Sequence, residues 1–298
     1  MRKMHKFYIG GQWVDPEAPN TLDVINPATE KPCGSISQGS HKDIDKAAAA
    51  AKDAAASFAT SRREKRLELL QAILDGLVQR SDEIATTITE EMGAPLGLAQ
   101  AAQVPSGIQH FRTMLKALAN YKFETHQGTT LIIREAIGPC ALITPWNWPL
   151  NQVAAKVAPA LAAGCTMIVK PSEFSPLSAQ LFTEVIDQAE LPKGVFNLVY
   201  GSGQKVGSAI SHHPDIDMVS FTGSTRAGIA VAQAAATTVK RVCQELGGKS
   251  PIILTEGIDL ESVVPEFLWL CMENTGQSCN AGTRLLVPES LHDDVVEI

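Results

Sequence analysis

The sequence predicts an α/β protein: a parallel β-sheet with helices flanking it. Two observations carry this expectation. Between residues 139 and 223, four short apolar runs each end in a Gly-, Pro- or Ser-rich loop, and each loop leads into a helical stretch. That repeat is the pattern of βα units in a parallel sheet. The chain also has 298 residues, of which 45% are hydrophobic, enough to bury a large core. Ligands of such sheets bind where the carboxyl ends of the strands meet the loops, so those loops are the first place to look for function.

The elements follow in order. Phe7–Val14 has two β-prone runs around Gly10-Gly11 and predicts a hairpin. Alanine-rich residues 42 to 58 predict a helix. Residues 62 to 80 predict another, with Leu67, Leu70, Ile73, Leu74 and Leu77 at helical spacing. Residues 81 to 92 and 96 to 119 also read as helical, and 121 to 138 has β character around Gln127-Gly128. The four units then run CALIT, PWNWP and helix 151 to 163; CTMIV, KPSEFSP and helix 177 to 190; VFNLVY, GSGQ and helix 204 to 212; MVSFTG, STRAG and a helix over 225 to 238. After PIILTEG, a helical run ESVVPEFLWLCMEN leads to the loop that contains Cys279.

Bulk properties exclude several classes. A net charge of −7 argues against a nucleic-acid partner, which needs a basic face. The basic run from Arg62 to Arg66 opens an amphipathic helix and reads as a solvated face. The apolar region 137 to 169 is interrupted by Pro145, Asn147, Pro149, Asn151, Lys156 and Pro159, so it forms no membrane span of about 20 apolar residues. The N-terminus has no apolar run of the signal-peptide kind. Six scattered cysteines with no CxxC pair are neither a disulfide framework nor a zinc site, which fits a reducing, cytoplasmic compartment and no metal.

Several loops have residue types suited to chemistry, each with a plainer reading beside it. GSGQKVG (201 to 207) departs from the GxGxxG spacing by one residue. FTGSTRAG (221 to 228) follows a strand and opens a helix, so its free N–H groups suit a pyrophosphate; it is equally an N-capped helix with Ser224 or Thr225 as the cap. ELGGKS precedes a strand and lacks the leading glycine of a P-loop. In KPSE, Lys170 and Glu173 are either solvated charges or a pair for ribose hydroxyls. A carboxylate there repels a 2′-phosphate, favouring NAD over NADP. Asn147, between two tryptophans and two prolines, is a turn residue or an oxyanion donor. Glu245 is a surface helix carboxylate or a general base. Cys279 is a buried small hydrophobe or, given neighbours as small as Ser278, Asn280, Ala281 and Gly282, a nucleophile that a substrate must reach. GQSCN fails as a serine elbow, because Asn280 stands where glycine is needed.

Taken together and in order, ITPWNWP (143 to 149), KPSE (170 to 173), FTGST (221 to 225), ELGGKSP (245 to 251) and GQSCNAGTR (276 to 284) resemble the NAD(P)-dependent aldehyde dehydrogenase superfamily. The resemblance covers the whole chain and implies a Rossmann-like sheet. It implies an NAD-binding domain over 1 to 120 and 139 to 248, a bridging β-arm over 121 to 138, and the start of a catalytic domain over 249 to 298. It further implies Cys279 as nucleophile, Glu245 as general base, Asn147 with the Cys279 N–H as oxyanion hole, and Lys156 as a lysine supporting proton movement. For the cofactor it implies Lys170 and Glu173 at the adenosine ribose, Gly223 and Ser224 at the pyrophosphate, and Ile143, Trp146 and Gly203 as adenosine walls. For the aldehyde it implies Trp148, Gln152, Ala155, Trp269, Glu273 and Ser278 along a tunnel, with Glu273 disfavouring anionic substrates.

The implied reaction is oxidation of an aldehyde to a carboxylic acid with NAD+, through a thiohemiacetal and a thioester that is hydrolysed. Glu245 speaks against the branch that passes the acyl group to coenzyme A. Members of this superfamily continue beyond the residues present here, adding a glutamate for the nicotinamide ribose and a strand for oligomerisation. The expectation is therefore a fragment of a longer homodimeric or homotetrameric protein, with apolar surface around Phe267, Leu268 and Leu270. The alternative is a truncated nucleotide-binding chain without turnover.

Overall fold

The structure is a computed structural model and describes residues 2 to 298. It consists of two compact units, the first running through Glu245 and the second from Leu246 to Ile298.

The first unit is built on a seven-stranded sheet. Its strand order is Arg241–Leu246, Met218–Gly223, Cys140–Ile143, Met167–Lys170, Phe196–Leu198, Phe7–Ile9, Gln12–Val14. The four strands expected from the βα repeat are the central ones, and they are mutually parallel. Three of them, Cys140–Ile143, Met167–Lys170 and Phe196–Leu198, are buried at every position, which is why they read as continuous apolar runs rather than alternating ones. The N-terminal hairpin extends this sheet: Phe7–Ile9 pairs antiparallel with Phe196–Leu198 and with Gln12–Val14. Gly10 and Gly11 make its two-residue turn with φ of 62° and 78°, backbone that a β-branched residue resists. The sheet is therefore mixed, parallel at its centre and antiparallel at the hairpin edge. Helices His41–Ala59, Pro149–Ala163 and Thr225–Ala236 pack against it.

Two features differ from the sequence reading. Arg2–Met4, Thr21–Asn26 and Lys31–Ser37 form a separate three-stranded sheet whose polar, Pro- and Gly-containing strands gave no periodic signal. The helical stretch from Leu96 to Asn120 is interrupted by a π-helical turn at Ala99–Gln103. Pro105 follows this turn and has no N–H to donate back into it. The stretch 121 to 138 contains an antiparallel pair, Glu124–Gln127 with Thr130–Ile133, turning at Gly128. Leu131 and Ile133 on that pair are exposed.

The second unit has a parallel pair, Ser250–Ile253 with Gly282–Leu286, and the helix Leu260–Gly276. The last turn of that helix is not regular: Glu273 is extended, and Asn274 and Thr275 are left-handed. Among the described residues, no helix is long and apolar enough to cross a membrane.

Candidate active site

The carboxyl ends of three adjacent strands are in register. Ile143 pairs with Phe221 on one side and with Lys170 on the other. The loops that leave these strands therefore start at one level, and they are the PWNWP, KPSE and GST loops. Two of these runs stop before a proline that cannot pair in the sheet, Pro145 and Pro171, and the third runs through Gly223 into Ser224, the cap of the next helix.

Lys170 ends its strand buried, with 2% of its surface exposed. Its Nζ donates to Glu173 Oε2 at 2.8 Å. The other carboxylate oxygen, Oε1, accepts from the N–H of Gly203 at 3.0 Å. Burial pushes the Lys170 ammonium pKa down, and the Glu173 charge and hydrogen bond oppose that. For Glu173, burial pushes the carboxyl up, but the Lys170 charge, its hydrogen bond and the Gly203 N–H outweigh this and hold it below the usual carboxylate value. Three of the sequence-predicted cofactor residues thus form one cluster joining two loops. Gly203 is exposed, and a Cβ built on it meets nothing within 4 Å, so the face beside Glu173 is open.

Beyond Phe221, Gly223 leads to Ser224, the N-cap of helix Thr225–Ala236. Of the two candidate caps it is Ser224 whose Oγ accepts, from the N–H of Ala227 at 3.3 Å. A Cβ on Gly223 would lie 2.6 Å from the Phe221 ring, so the loop has no room for a side chain there.

Trp146, Asn147 and Trp148 are half-buried in the loop after Ile143. The next helix opens at Pro149, so Gln152, Ala155 and Lys156 occupy its first two turns; Gln152 N–H donates to the Trp148 carbonyl at 2.9 Å. Gln103, fully buried in the π-helical turn, donates its Nε2 to the Asn147 carbonyl at 2.9 Å. Sequence reading missed Gln103. Its only signal was a polar residue in an alanine-rich stretch.

Lys156 is buried, and its Nζ donates to Ser220 Oγ at 2.9 Å. Burial lowers its pKa, while the neighbouring Cys243 and Glu245 charges act to raise it. Lys156 and Glu245 therefore belong to one electrostatic neighbourhood. Glu245 is exposed on the strand Arg241–Leu246, where exposure alternates; the plain reading of it as a helix carboxylate was wrong about the element.

The remaining candidates are in the second unit. Trp269 is exposed and Glu273 is half-buried on helix Leu260–Gly276. The loop that follows is tied by its own polar groups. Asn274, 1% exposed, accepts on its carbonyl from the Gln277 N–H at 3.2 Å and the Thr275 hydroxyl at 2.6 Å, and its Nδ2 donates to the Gln277 carbonyl at 3.4 Å. The Ser278 carbonyl accepts from the Ala281 N–H at 3.2 Å. Cys279 follows this braced segment with an exposed thiol. Cys279 is therefore not the buried small hydrophobe of the plainer reading. Among the described residues, no three His, Cys, Asp or Glu side chains are grouped to hold a metal ion.

The class defined by these loops is that of the aldehyde dehydrogenases: the aldehyde dehydrogenase family profile matches residues 13 to 298. The chain belongs to that family. It is 53% identical over 296 residues to 3-succinoylsemialdehyde-pyridine dehydrogenase from a Pseudomonas species, covering 99% of this chain and 62% of that relative. Among solved structures, it matches a mutant of aldehyde dehydrogenase C from Pseudomonas syringae in complex with NAD+ and octanal, at 52% identity and a TM-score of 0.96, covering 98% of this chain and 60% of that one. It also matches lactaldehyde dehydrogenase from Escherichia coli at 35% identity and a TM-score of 0.95, covering 100% of this chain and 63% of that one. The chain thus spans about three fifths of the length of these relatives.

Proposed function

We propose that this chain carries the cofactor-binding and nucleophile-bearing part of an enzyme that oxidises an aldehyde to a carboxylic acid with NAD+. The observation that carries this reading is the exposed Cys279 thiol, set in a small-residue loop braced by Asn274 and Gln277, in a chain of this family. The first unit is then the NAD-binding part, with 121 to 138 as a bridging arm, and the second unit is the start of the catalytic domain. The exposed Leu131 and Ile133 on the arm suit contact with a further subunit in a homodimer or homotetramer. Six free cysteines suit a reducing, cytoplasmic setting.

The residues fit the cofactor. Glu173 keeps accepting capacity for ribose hydroxyls beside the open Gly203, and its negative charge favours NAD over NADP. The N–H groups at the start of helix Thr225–Ala236, beside Ser224, suit a pyrophosphate. Ile143 and Trp146 border the same strand ends. NAD+ supplies the hydride acceptor when bound.

The chain's own residues have the following parts. Cys279 attacks the aldehyde carbon as thiolate, and the small neighbours leave room for approach. The Asn147 amide and the Cys279 N–H stabilise the oxygen as charge develops on it. After oxidation the acyl group remains on Cys279 as a thioester. Glu245 activates the water that releases the acid, and the buried Lys156 beside it supports movement of the proton. Trp148, Gln152, Ala155, Trp269, Glu273 and Ser278 are the candidates for contact with the aldehyde, with Glu273 disfavouring anionic aldehydes. The octanal of the P. syringae complex, an uncharged aldehyde, agrees with that preference.

The test is NADH formation, read by absorbance, with NAD+ and a short aliphatic aldehyde, comparing the chain with Cys279→Ala. NADH that forms with the chain and not with the variant supports the reading. NAD+ binding by a folded chain with no NADH and no acyl adduct on Cys279 would favour nucleotide binding without turnover.

A further inference from the structure

Two polar residues stand at buried positions where their elements are otherwise apolar, and they meet. In helix Pro149–Ala163, Lys156 has Val153, Ala154, Val157 and Ala158 about it, all buried. In strand Met218–Gly223, Ser220 stands between the buried Val219 and Phe221. Each of the two is 9% exposed, and Lys156 Nζ donates to Ser220 Oγ at 2.9 Å. Among the described residues this is the one hydrogen bond that the Lys156 side chain makes. Burial of either polar group without the other is costly, so the bond accounts for both.

The strand order gives this bond a direction. Helix Pro149–Ala163 packs on strands Cys140–Ile143 and Met167–Lys170. Ser220 is on the strand at the other flank of Cys140–Ile143, and beyond it runs the edge strand Arg241–Leu246. Cys243 and Glu245 occupy alternate, exposed positions of that edge strand. Neighbouring strands are about 4.8 Å apart. The lysine stem is thus drawn across the sheet, and Nζ is anchored one strand short of Glu245. Of the titratable groups on the elements around it, Cys243 and Glu245 are the two whose charges act on Lys156, against the effect of its burial. A hydroxyl suits this place better than a carboxylate or a methyl group. It accepts from an ammonium and, by rotating, donates to a neutral amine. Lys156 can therefore change protonation state without losing its partner.

We propose that Ser220 is a positioning residue for release of the acid, fixing Lys156 Nζ beside the strand of Glu245, where the lysine carries away the proton that Glu245 takes from water. This rests on the aldehyde-oxidising reading above, and it gives Ser220 no contact with aldehyde or cofactor. In the step concerned, the water oxygen adds to the thioester carbon and one water proton goes to Glu245. The C–S bond breaks with its electron pair on the Cys279 sulfur, and the carboxylic acid leaves. Neutral Lys156 takes the proton from Glu245 and returns it to solvent, so both residues regain their starting states. Without the Ser220 hydroxyl, Nζ is unpaired and free to turn about its four-carbon stem, and the proton loses its fixed acceptor.

The test has two readouts, and the first needs no turnover. The NMR signal of Lys156 Nζ, in chain made with heavy-nitrogen lysine and identified by its loss in Lys156→Met, is followed against pH. Ser220→Ala should lower its titration midpoint, because an ammonium loses more with its acceptor than a neutral amine does, and Ser220→Thr should restore it. If the alanine variant does not fold, Ser220→Cys makes the same comparison with a weaker acceptor. The second readout is loss of the acetyl group from Cys279 after a pulse of p-nitrophenyl acetate, followed by peptide mass. Uptake of the acetyl group should keep its rate in Ser220→Ala, while its release slows by roughly tenfold or less, the worth of one hydrogen bond. The pH profile of release should move in the same direction as the NMR midpoint, and Ser220→Thr should again restore both. A serine that only fills space would move neither. An unchanged midpoint in Ser220→Ala overturns the proposal. So does a lowered midpoint with release at the wild-type rate, and that outcome leaves the reaction of Cys279 standing. A wild-type chain that takes no acetyl group on Cys279 removes the reaction itself and the proposal with it, whatever the midpoint shows of the Ser220 bond.

Discussion

Lys170 Nζ and Glu173 Oε2 are 2.8 Å apart, with the lysine buried and the carboxylate at the edge of the open face beside Gly203. A buried ammonium is stable only with a partner, so each residue fixes the other. The Glu173 pKa is lower folded than its ordinary value of 4.5, because the Lys170 charge and three hydrogen bonds outweigh burial. A lowered carboxylate contributes stability that is full above the unfolded value and is lost as pH falls through the folded one. Glu173→Gln should therefore be less stable than wild type by roughly 1–2 kcal/mol at neutral pH. The gap should close as pH drops below 4.5. Denaturant midpoints measured over that range check it; a gap that stays constant with pH contradicts the ion-pair assignment.

The same carboxylate bears on the choice of cofactor. If Glu173 accepts from a ribose hydroxyl, its charge repels a 2′-phosphate, and removing the charge should weaken that discrimination. Glu173→Gln is expected to lower NAD+ affinity by about tenfold, the loss of one charged hydrogen bond, and to narrow the gap between NAD+ and NADP+. Equilibrium titration of both nucleotides into wild type and variant gives the two ratios. An unchanged ratio would remove Glu173 from the ribose site.

How much of this was legible beforehand depended on whether function and packing left separate marks on the sequence. The βα repeat was legible because buried parallel strands are continuous apolar runs bounded by Pro and Gly. The Lys170–Glu173–Gly203 cluster was legible through its motif, although nothing in KPSE alone says that Glu173 also reaches a backbone N–H thirty residues on. The small N-terminal sheet was hidden because its strands carry polar residues, Pro32 and Gly34 in place of alternation.

Glu91 illustrates another contact that the sequence hides. It is buried on helix Ser81–Met92 and accepts from the N–H groups of Leu177 and Ser178 at 2.5 and 3.1 Å, capping helix Leu177–Gln188 from outside. Ser178 Oγ donates to it as well, at 2.5 Å. Glu91→Ala leaves these donors unsatisfied and opens a void, so it should destabilise the fold by about 2–4 kcal/mol. Burial pushes the Glu91 carboxyl up to about 7, with the three hydrogen bonds opposing. For a raised carboxylate, the favourable contribution is full below 4.5 and is lost as pH rises through about 7. Wild type should thus lose stability over that interval, and Glu91→Gln should not. Parallel pH slopes for the two would refute the assignment.

Gln103 supports Asn147 through the backbone, donating to its carbonyl at 2.9 Å from a π-helical turn. It is a positioning residue. Gln103→Leu keeps the bulk and removes the donor, which should let the PWNWP loop shift. On the proposed function, the expected effect is a fall in kcat of roughly tenfold or less, the worth of one hydrogen bond, with KM for NAD+ little changed. Gln103→Glu tests the direction of the bond, since a carboxylate does not donate. Full activity in both variants would show that Asn147 is held adequately without it.

The loop before Cys279 is the most strained backbone in the second unit. Asn274 and Thr275 have φ of 53° and 58°, followed by Gly276 at 72°. Asparagine tolerates left-handed backbone better than most residues, because its short amide bonds locally; here it donates to the Gln277 carbonyl at 3.4 Å. A β-branched threonine does not tolerate it, so the loop's own hydrogen bonds must hold Thr275 there. Asn274→Ala removes both the tolerance and the side-chain donor. It should destabilise the chain by about 1–2 kcal/mol and release the loop. On the proposed mechanism, a freed loop lowers the rate at which Cys279 is alkylated by an aldehyde-sized reagent only if bracing holds the thiol outward. The expected outcome is slower, less uniform labelling of Cys279 in Asn274→Ala, followed by peptide mass. Labelling as fast as in wild type would mean that exposure of the thiol does not depend on this bracing.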